Sequence, residues 1–569
     1  MKTTLLFLFI LVSIISNGQT NVKLPVELLK SIELRIKEGA SPSIVIGIVD
    51  KNGTHYFAFG NKSINGAPAD EHTIYEIGSI SKVFTATLLA QQVLDGKLKL
   101  DDPVKKFLPD SVKVPSRNNV EITLGNLSDH TSSLPRMPTN FAPKNRGNPY
   151  ADYTVAQLYS FLSGYTLTRD IGSAYEYSNL AQGLLGHILA LNAGMPYEEL
   201  MIKTIGKPLG MKETKITFDS KMKKNLAIGY NQGKEVENWD LPTLAGAGAI
   251  RSSAFDMLKF LSANMGIMKS KLLPAMNMTH QVRHNKAGDA RVGLGWHIVK
   301  GKNGDVIWHN GGTGGYRTFA GFVKETGTGV VVMTNSTTGA DDIGFYLLNP
   351  DSKLQFTKPG FVYVLRKTID EKGIKEAWIV YNDITKNKKA EFDFNEANIN
   401  SLGYAYIENN IDAALAVFKM NIELYPNSWN VYDSYGEALL KNGQKDSAIV
   451  YYKKSIQMNP GNTNGIKILK DNGVEYQVED IIVPETILDT YLGTYELSPG
   501  FEIVITRQGN QLFGQATGQA IFELFAKSNT EFYLKVVAAQ INFNLNDEKV
   551  VDSMTLLQNG QEIKGKKIK

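Results

Sequence analysis

The spacing of apolar residues along the chain predicts strands first and helices after them. Residues 43–50 read SIVIGIVD, an Asn-Gly turn follows, and HYFAFG comes next, so this stretch is expected to form a β-hairpin. Apolar residues then recur at near-helical spacing between Ser79 and Asp95, and Gly96 can close the helix. Further along, TFAGFVKETGTGVVVMTNS predicts a second pair of strands.

Strands at both ends of a segment, with helical sequence between them, are typical of an α+β domain. We therefore expect residues 25–348 to form a domain in which N-terminal and C-terminal strands meet in one antiparallel sheet. Helices should flank this sheet, and the middle of the segment should form a mainly helical lobe.

The sequence after this domain is charged and helical, and it contains a repeat. Small, aromatic and proline residues recur 34 positions apart, at Ala414 and Ala448, Phe418 and Tyr452, and Pro426 and Pro460. Residues 395–472 therefore resemble two tetratricopeptide repeats, and a helical linker at 360–384 is expected to pack against them. Such a pair offers a small concave surface that could bind a protein partner or serve only as a packed spacer.

Residues 484–569 alternate apolar and polar positions in FEIVITR, IFELF, EFYLKV and INFNLN, separated by Gly, Asn and Asp turns. This pattern predicts a small antiparallel β-domain, either a barrel or a sandwich. At the other end of the chain, residues 1–18 carry one lysine, an apolar run and small residues, which predicts a cleavable signal peptide. The mature protein is then expected to be secreted or periplasmic, with no membrane span.

Composition excludes several classes of function. A net charge of +4 over 569 residues gives no basic face for a nucleic-acid partner. The absence of cysteine excludes a thiol nucleophile and a cysteine-based metal site. The histidines are scattered and form no H-E-x-x-H motif, so we predict neither a metal nor a cofactor.

The first candidate for chemistry is the segment YEIGSISKVF, in which Ser79 and Lys82 stand three positions apart at the start of the predicted helix. This spacing puts both side chains on one helix face. Serine needs a base to become a good nucleophile, and a lysine whose pKa is lowered by burial can be that base.

Two further segments contain residue types suited to the same chemistry. In AYEYSNLAQG, Tyr177 and Asn179 precede a helix that is expected to run to Gly194. Residues two apart do not share a helix face, so Tyr177 should lie on extended chain, with Asn179 either capping the helix or pointing into a cleft. In VIWHNGGTGGYRTF, a short apolar strand leads into His309, Asn310, Gly311 and Gly312. The two glycines let another backbone or a substrate approach this strand end closely.

Taken in order, S-x-x-K, Tyr-x-Asn and a strand triad ending in glycine form the pattern of active-site serine penicillin-recognising enzymes. The chain therefore resembles the class C β-lactamase and penicillin-binding DD-peptidase superfamily, and LSDHTSSLP, AGAGAIRSSAFDMLKF and VGLGWHI are similar to its recurrent flanking stretches. By this resemblance His130, in the first of them, is a structural neighbour of the cleft rather than a general base.

The resemblance implies a serine hydrolase that works through an acyl-enzyme. Ser79 would be the nucleophile, and Lys82 and Tyr177 would accept and return its proton. The backbone N–H groups of Ser79 and Gly312 would form the oxyanion site. The remaining motif residues would bind the substrate: Asn179, His309, Asn310, Gly311 and Gly312.

His309 departs from the pattern, because class C β-lactamases carry a lysine there. Histidine is mostly neutral at pH 7. His-x-Gly is more similar to the esterases and D-amino-acid peptidases of the superfamily, so the substrate is expected to be an ester, a D-amino-acid peptide or a β-lactam. Two alternatives stay open: a peptidoglycan DD-carboxypeptidase, or a sensor that captures penicillin or cell-wall fragments without turnover.

Overall fold

The computed structural model describes residues 22–285, 290–476, 481–498, 501–517, 521–535, 537, 539–546, 548–558 and 561–568. The signal peptide expected at residues 1–18 lies outside the described residues. The chain divides after Thr357 into two compact units, the second of which starts at Lys358.

The first unit is built on an eight-stranded antiparallel sheet, whose strands in spatial order are Gly53–Gly60, Ser43–Asp50, Thr328–Thr334, Arg317–Val323, Gly304–Gly312, His297–Gly301, Arg291–Val292 and His284–Asn285. The N-terminal hairpin joins the C-terminal strands where Ser43–Asp50 pairs with Thr328–Thr334, with Ile46 opposite Val332. The predicted α+β fold, with strands from both ends in one sheet, is confirmed.

Both faces of this sheet are buried, which explains the nearly continuous apolar run of its second strand. Ile44 and Ile46 pack with the helix Val26–Lys37, whereas Val45 packs on the opposite face with the helix Ala254–Asn264. The sheet is therefore held between helices on both sides.

The helix Ser81–Leu94 is buried around most of its circumference, as expected for a helix that is apolar on nearly every face. The sequence predicts a helix that opens near Ser79, and at that point a single 3₁₀ turn, Gly78–Ile80, leads directly into the α-helix. Ser79 therefore lies in a tight turn at the entrance of a rigid, buried helix.

Helices and short hairpins form the rest of the first unit. Its other helices are Leu124–Ser128, Val155–Gly164, Asn179–Ala193, Tyr197–Met201, Ser220–Asn225, Ala245–Gly248, Leu273–Thr279 and Asp341–Leu348, with a 3₁₀ helix at Val104–Phe107 and a π-helical turn at Ile202–Gly206. The short strand pairs are Tyr75–Glu76 with Arg251–Ser252, Ser116–Arg117 with Val120–Glu121, and Tyr230–Asn231 with Lys234–Glu235.

The second unit begins with helices, Phe361–Lys372, Ile374–Asn387, Glu396–Tyr406, Ile411–Leu424, Trp429–Lys441, Lys445–Met458 and Thr463–Asp471, and a 3₁₀ turn at Lys389–Glu391. Equivalent positions of the sequence repeat make equivalent contacts. Gly403 packs against the ring of Phe418, and Gly436 packs against the ring of Tyr452. The recurring glycine and aromatic residues are thus partners within successive helix pairs.

The second unit ends in a closed antiparallel barrel, preceded by a short helix, Glu485–Leu488, and a 3₁₀ turn, Asp489–Tyr491. Its strands are Gly493–Ser498, Phe501–Gln508, Gln511–Ala516, Phe522–Ala526, Glu531–Tyr533, Ala539–Leu545, Val551–Gln558 and Gln561–Lys567. Tyr495, Ile541, Phe543 and Met554 belong to its core. The predicted small β-domain is confirmed, and of its two expected forms it adopts the barrel.

None of the helices in the described ranges is long and apolar enough to cross a membrane.

Close packing at Gly403 gives a test of the repeat contacts. A Cβ at Gly403 would lie 2.4 Å from the Phe418 ring, whereas one at Gly436 would lie 3.2 Å from Tyr452. Gly403→Ala should therefore destabilise the helix pair by about 1–2 kcal/mol, because overpacking outweighs the gain in helix propensity. Gly436→Ala should be close to neutral. Hydrogen exchange measures the local stability of the two helix pairs in each variant. Equal destabilisation by Gly403→Ala and Gly436→Ala would contradict the packing described.

Candidate active site

Three segments that are distant in sequence meet around Ser79. They are the turn Gly78–Ile80, the start of the helix Asn179–Ala193, and the end of the strand Gly304–Gly312. Ser79 itself is partly exposed, while the residues on either side of it are buried. The hydroxyl is therefore accessible on a backbone that is fixed by its neighbours.

Lys82 is fully buried beneath this hydroxyl, with its Nζ 3.0 Å from Ser79 Oγ. The same Nζ lies 2.9 Å from Asn179 Oδ1 and 2.7 Å from the carbonyl oxygen of Ala247. Both of those oxygens are acceptors only. The amine is thus held by contacts from three different parts of the chain.

Burial lowers the pKa of Lys82 well below its ordinary value of 10.5, and the positive charge of Arg136 lowers it further. A neutral amine has two N–H donors and one lone pair. The carbonyl oxygens of Asn179 and Ala247 take the two donors, so the lone pair of the neutral form faces Ser79 Oγ. In that state the serine O–H donates to Nζ.

Tyr177 lies directly before the helix, as the sequence predicts, and its ring lies over the Lys82 amine, with 4.8 Å between Nζ and the ring centre. Burial raises the pKa of this phenol above its usual range, so it keeps its proton at neutral pH. One face of the ring stacks on His130, with ring centres 4.6 Å apart. His130 also accepts a hydrogen bond from the backbone N–H of Ser178 at 3.1 Å.

Asn179 adopts the second of its two expected orientations. The N-cap of the helix is Ser178, whose hydroxyl accepts from the backbone N–H of Ala181 at 2.9 Å. Because Ser178 caps the helix, the side chain of Asn179 can point to Lys82. Ser178, which lies between Tyr177 and Asn179, is not among the residues that the sequence analysis singled out.

His309 lies fully buried on the same side as Tyr177, with 6.1 Å between their ring centres. Its ring stacks on His297 at 4.8 Å, and its Nδ1 is 2.6 Å from the carbonyl oxygen of Asn310. The strand thus brings a histidine, rather than a permanent cation, next to the tyrosine.

Gly311 at the strand end and Gly78 in the turn before Ser79 allow very close backbone approach. A Cβ at Gly311 would lie 1.9 Å from the carbonyl oxygen of Ile77. Gly78 adopts φ +49°, and a Cβ there would lie 2.7 Å from the backbone nitrogen of Gly312. The strand end and the turn that carries Ser79 therefore touch through backbone atoms, a contact that side chains at these positions would prevent.

Asn310 is directed away from these residues. Successive strand residues face opposite sides, and Asn310 Nδ2 donates to Asp341 Oδ2 at 2.5 Å, at the start of the helix Asp341–Leu348. Of the residues singled out by the sequence, the structure places Ser79, Asn179 and the ring of Tyr177 around the Lys82 amine.

Several residues near the site had no motif to reveal them. Arg136 lies over the Tyr177 ring, with its guanidinium carbon 5.1 Å from the ring centre. Glu76 is buried three positions before Ser79 and pairs with Arg251 at 3.3 Å. Glu76 is next to the motif in sequence, whereas only the fold brings Arg136 close to Tyr177. Within the described ranges, no group of His, Asp and Glu side chains is arranged to hold a metal ion.

Residues 28–347 match the family model described as Beta-lactamase, and residues 479–567 match a domain of unknown function, DUF3471. Because the first match covers more than half of the 569 residues, the chain belongs to the beta-lactamase family. It is a β-lactamase-like serine hydrolase.

Similar proteins include the D-alanyl-D-alanine-carboxypeptidase/endopeptidase AmpH of Escherichia coli (strain K12), 29% identical over 307 residues, which are 51% of this chain and 78% of the relative. A beta-lactamase of Pseudomonas fluorescens is 28% identical over 341 residues, which are 54% of this chain and 91% of that relative.

Among solved structures, the beta-lactamase/D-alanine carboxypeptidase from Yersinia pestis is 26% identical, covering 58% of this chain and 96% of that one, with a TM-score of 0.49. The class C beta lactamase from Rhodobacter sphaeroides is 24% identical. The match covers 55% of this chain and 94% of that one, and its TM-score is also 0.49.

Asp341 gives a test through the pH dependence of stability. Burial raises its pKa from 3.8 to about 6. The folded state therefore binds more protons than the unfolded state between these values, and its stability falls as pH rises through that window. Asp341→Asn should remove this loss. The change in unfolding free energy that it causes should therefore be about 1–2 kcal/mol more favourable at pH 7.5 than at pH 3.5, a range that already allows for the partial exposure of the side chain.

Thermal unfolding at the two pH values measures this difference, with the exposed carboxylate Asp351 as control through Asp351→Asn. The same shift at both pH values would contradict the raised pKa.

Proposed function

We propose that this protein is an exported serine hydrolase that cleaves an ester or amide through an acyl-enzyme on Ser79. The observation that carries the proposal is the buried amine of Lys82, 3.0 Å from the serine hydroxyl oxygen. A neutral amine at that distance is a base already in place for the hydroxyl proton.

In the proposed reaction, Ser79 Oγ attacks the carbonyl carbon of the substrate as its proton passes to Lys82 Nζ. Tyr177 enters as an acid, because its raised pKa keeps the phenol protonated. It donates to the departing group and is reprotonated from Lys82. Water then attacks the acyl-enzyme, and the same groups return the proton to Ser79.

The remaining residues bind the substrate in this proposal. The oxygen of Asn179 is held by Lys82, and its Nδ2 donates one hydrogen to Met137 Sδ at 3.9 Å, which leaves the second amide hydrogen to orient a substrate amide. The backbone N–H groups of Ser79 and Gly312 would receive the oxyanion. The backbone contact between Gly78 and Gly312 supports this, because it fixes the distance between the two segments that carry these donors.

A D-amino-acid peptide or an ester is the favoured substrate, with a β-lactam as a third candidate. His309 in place of a lysine supports this order, because it supplies no permanent charge to the strand end. A peptidoglycan DD-carboxypeptidase is the second candidate function, and the similarity to a relative named a D-alanyl-D-alanine-carboxypeptidase/endopeptidase favours it.

Export rests on the residue pattern of positions 1–18. We further propose that residues 395–472 form two tetratricopeptide-like repeats, supported by the matching contacts of Gly403 and Gly436 with their aromatic partners. Such a segment would either bind a protein partner or space the barrel from the helices before it.

Turnover with nucleophile variants tests the acyl-enzyme. We expect the protein to hydrolyse p-nitrophenyl acetate or a D-alanyl-D-alanine peptide, and Ser79→Ala to lose at least about 10³-fold in kcat/KM. Ser81→Ala is the matched control, because Ser81 lies in the same motif but only accepts a hydrogen bond from Ile250 N. Retained turnover in Ser79→Ala would contradict the proposal.

Intact mass after incubation with a penicillin separates the alternatives. A transient adduct on Ser79 with product release supports the hydrolase, whereas a stable stoichiometric adduct without turnover of any substrate would favour the sensor.

The oxyanion site gives a second test. Gly78→Ala should lower kcat by about 10²-fold, because the added methyl would displace the backbone of Gly312. Gly96→Ala is the matched control: both glycines have positive φ, but no atom lies within 4 Å of a Cβ at Gly96. Similar loss of kcat in both variants would show that backbone strain, and not the contact with Gly312, is responsible.

A further inference from the structure

A single exposed arginine stands over the candidate site. The guanidinium carbon of Arg136 lies 5.1 Å from the ring centre of Tyr177, and the Lys82 amine lies 4.8 Å from the same ring centre. The side chain is exposed, but its backbone is fixed, because the carbonyl oxygen of Arg136 accepts from the N–H groups of Asn179 and Leu180 at 3.0 and 3.3 Å. A solvent-accessible cation is thus anchored to the helix start that carries the site's asparagine.

The charge of Arg136 acts on the site rather than on an acidic partner. Burial has the largest effect on the pKa values of Lys82, Tyr150, Tyr175 and Tyr177, lowering that of the lysine and raising those of the tyrosines. The positive charge of Arg136 is a smaller, lowering influence on all four. No carboxylate in the described part of the chain forms an ion pair with it. Six other arginines of the first unit do pair with an acid: Arg35, Arg117, Arg169, Arg251, Arg283 and Arg291.

The other cation near the strand end is not comparably available. Arg317 Nη1 donates to the carbonyl oxygens of Thr313 and Tyr316, both at 2.8 Å. Its strand position faces the same side as Asn310, away from Tyr177. Asp341, on that same side, also supplies a nearby negative charge.

We propose that Arg136 is a specificity-determining residue whose guanidinium binds an anionic group of the substrate at the mouth of the cleft. This rests on the proposed function and narrows it to acyl compounds that carry a carboxylate. A guanidinium offers a planar pair of N–H donors that match a carboxylate, and no acid among the residues that the structure describes competes for them. Arg136 thereby supplies the permanent charge that the strand histidine lacks.

The test compares substrates that differ only in this charge. An N-acyl-D-alanyl-D-alanine peptide is compared with its C-terminal amide, and benzylpenicillin with its methyl ester, which distinguishes a peptide carboxylate from a lactam carboxylate. Arg136→Gln should reduce kcat/KM for the acid about 10- to 100-fold more than for its neutral partner, mainly through KM. Arg136→Lys should restore part of the preference, and added salt should weaken it.

Two precautions make the result specific. Rates are compared on the high-pH plateau, because removing Arg136 also raises the pKa of Lys82. Arg146→Gln is the matched control, since Arg146 is an exposed arginine of the same loop that does not affect the pKa of Lys82 or Tyr177. It should keep the wild-type preference for acids.

Equal losses for acid and neutral substrates, or the same loss in Arg146→Gln, would overturn the proposal. Binding of N-acetyl-D-alanine and of its amide, compared by NMR in Ser79→Ala with and without Arg136→Gln, gives a readout that needs no turnover. If the protein hydrolyses p-nitrophenyl acetate but shows no preference for acid substrates over their neutral partners, the role of Arg136 is refuted and the proposed hydrolysis stands. Absence of Ser79-dependent turnover, with the acid still preferred in binding, would refute only the proposed hydrolysis.

Discussion

The site depends on one buried amine. Lys82 is removed from water, and within the described residues no carboxylate balances its charge. A charged lysine in such a place is costly, so the fold favours the neutral form. The two carbonyl oxygens that receive its N–H groups then determine where its lone pair points. The direction of the proton transfer from Ser79 follows from this constraint.

The surrounding fold keeps that amine in place. The helix Ser81–Leu94 is enclosed by the sheet and the helical lobe, so its first turn cannot tilt without disturbing the core. The asparagine and carbonyl that hold Nζ come from two other helices, Asn179–Ala193 and Ala245–Gly248. Backbone contact at Gly78 and Gly312 fixes the strand end against the same turn. A rigid site of this kind places its donors before a substrate arrives.

Much of this was predictable because short-range spacing carries it. The closeness of Ser79 and Lys82 follows from their spacing of three residues at the start of a helix, although Ser79 itself lies in a 3₁₀ turn. The meeting of N-terminal and C-terminal strands follows from the order of elements. Strand alternation could also have separated His309 from Asn310, which face opposite sides of one strand. The cap at Ser178 is a local bond from the N–H of Ala181, so a serine before the helix could have revealed it. The place of Arg136 depends on contacts between distant segments, which no local pattern encodes. The assignment of roles to these residues stays a prediction.

The most direct test of the central claim is the pH dependence of Ser79 labelling by a neutral fluorophosphonate, followed by peptide mass spectrometry. If Lys82 is the base, the labelling rate should rise with pH through an apparent pKa well below the ordinary 10.5 of lysine, and folded Lys82→Met should lose that rise and react about 10²- to 10⁴-fold more slowly. A midpoint near 10.5, or an unchanged rate and profile in Lys82→Met, would contradict the account.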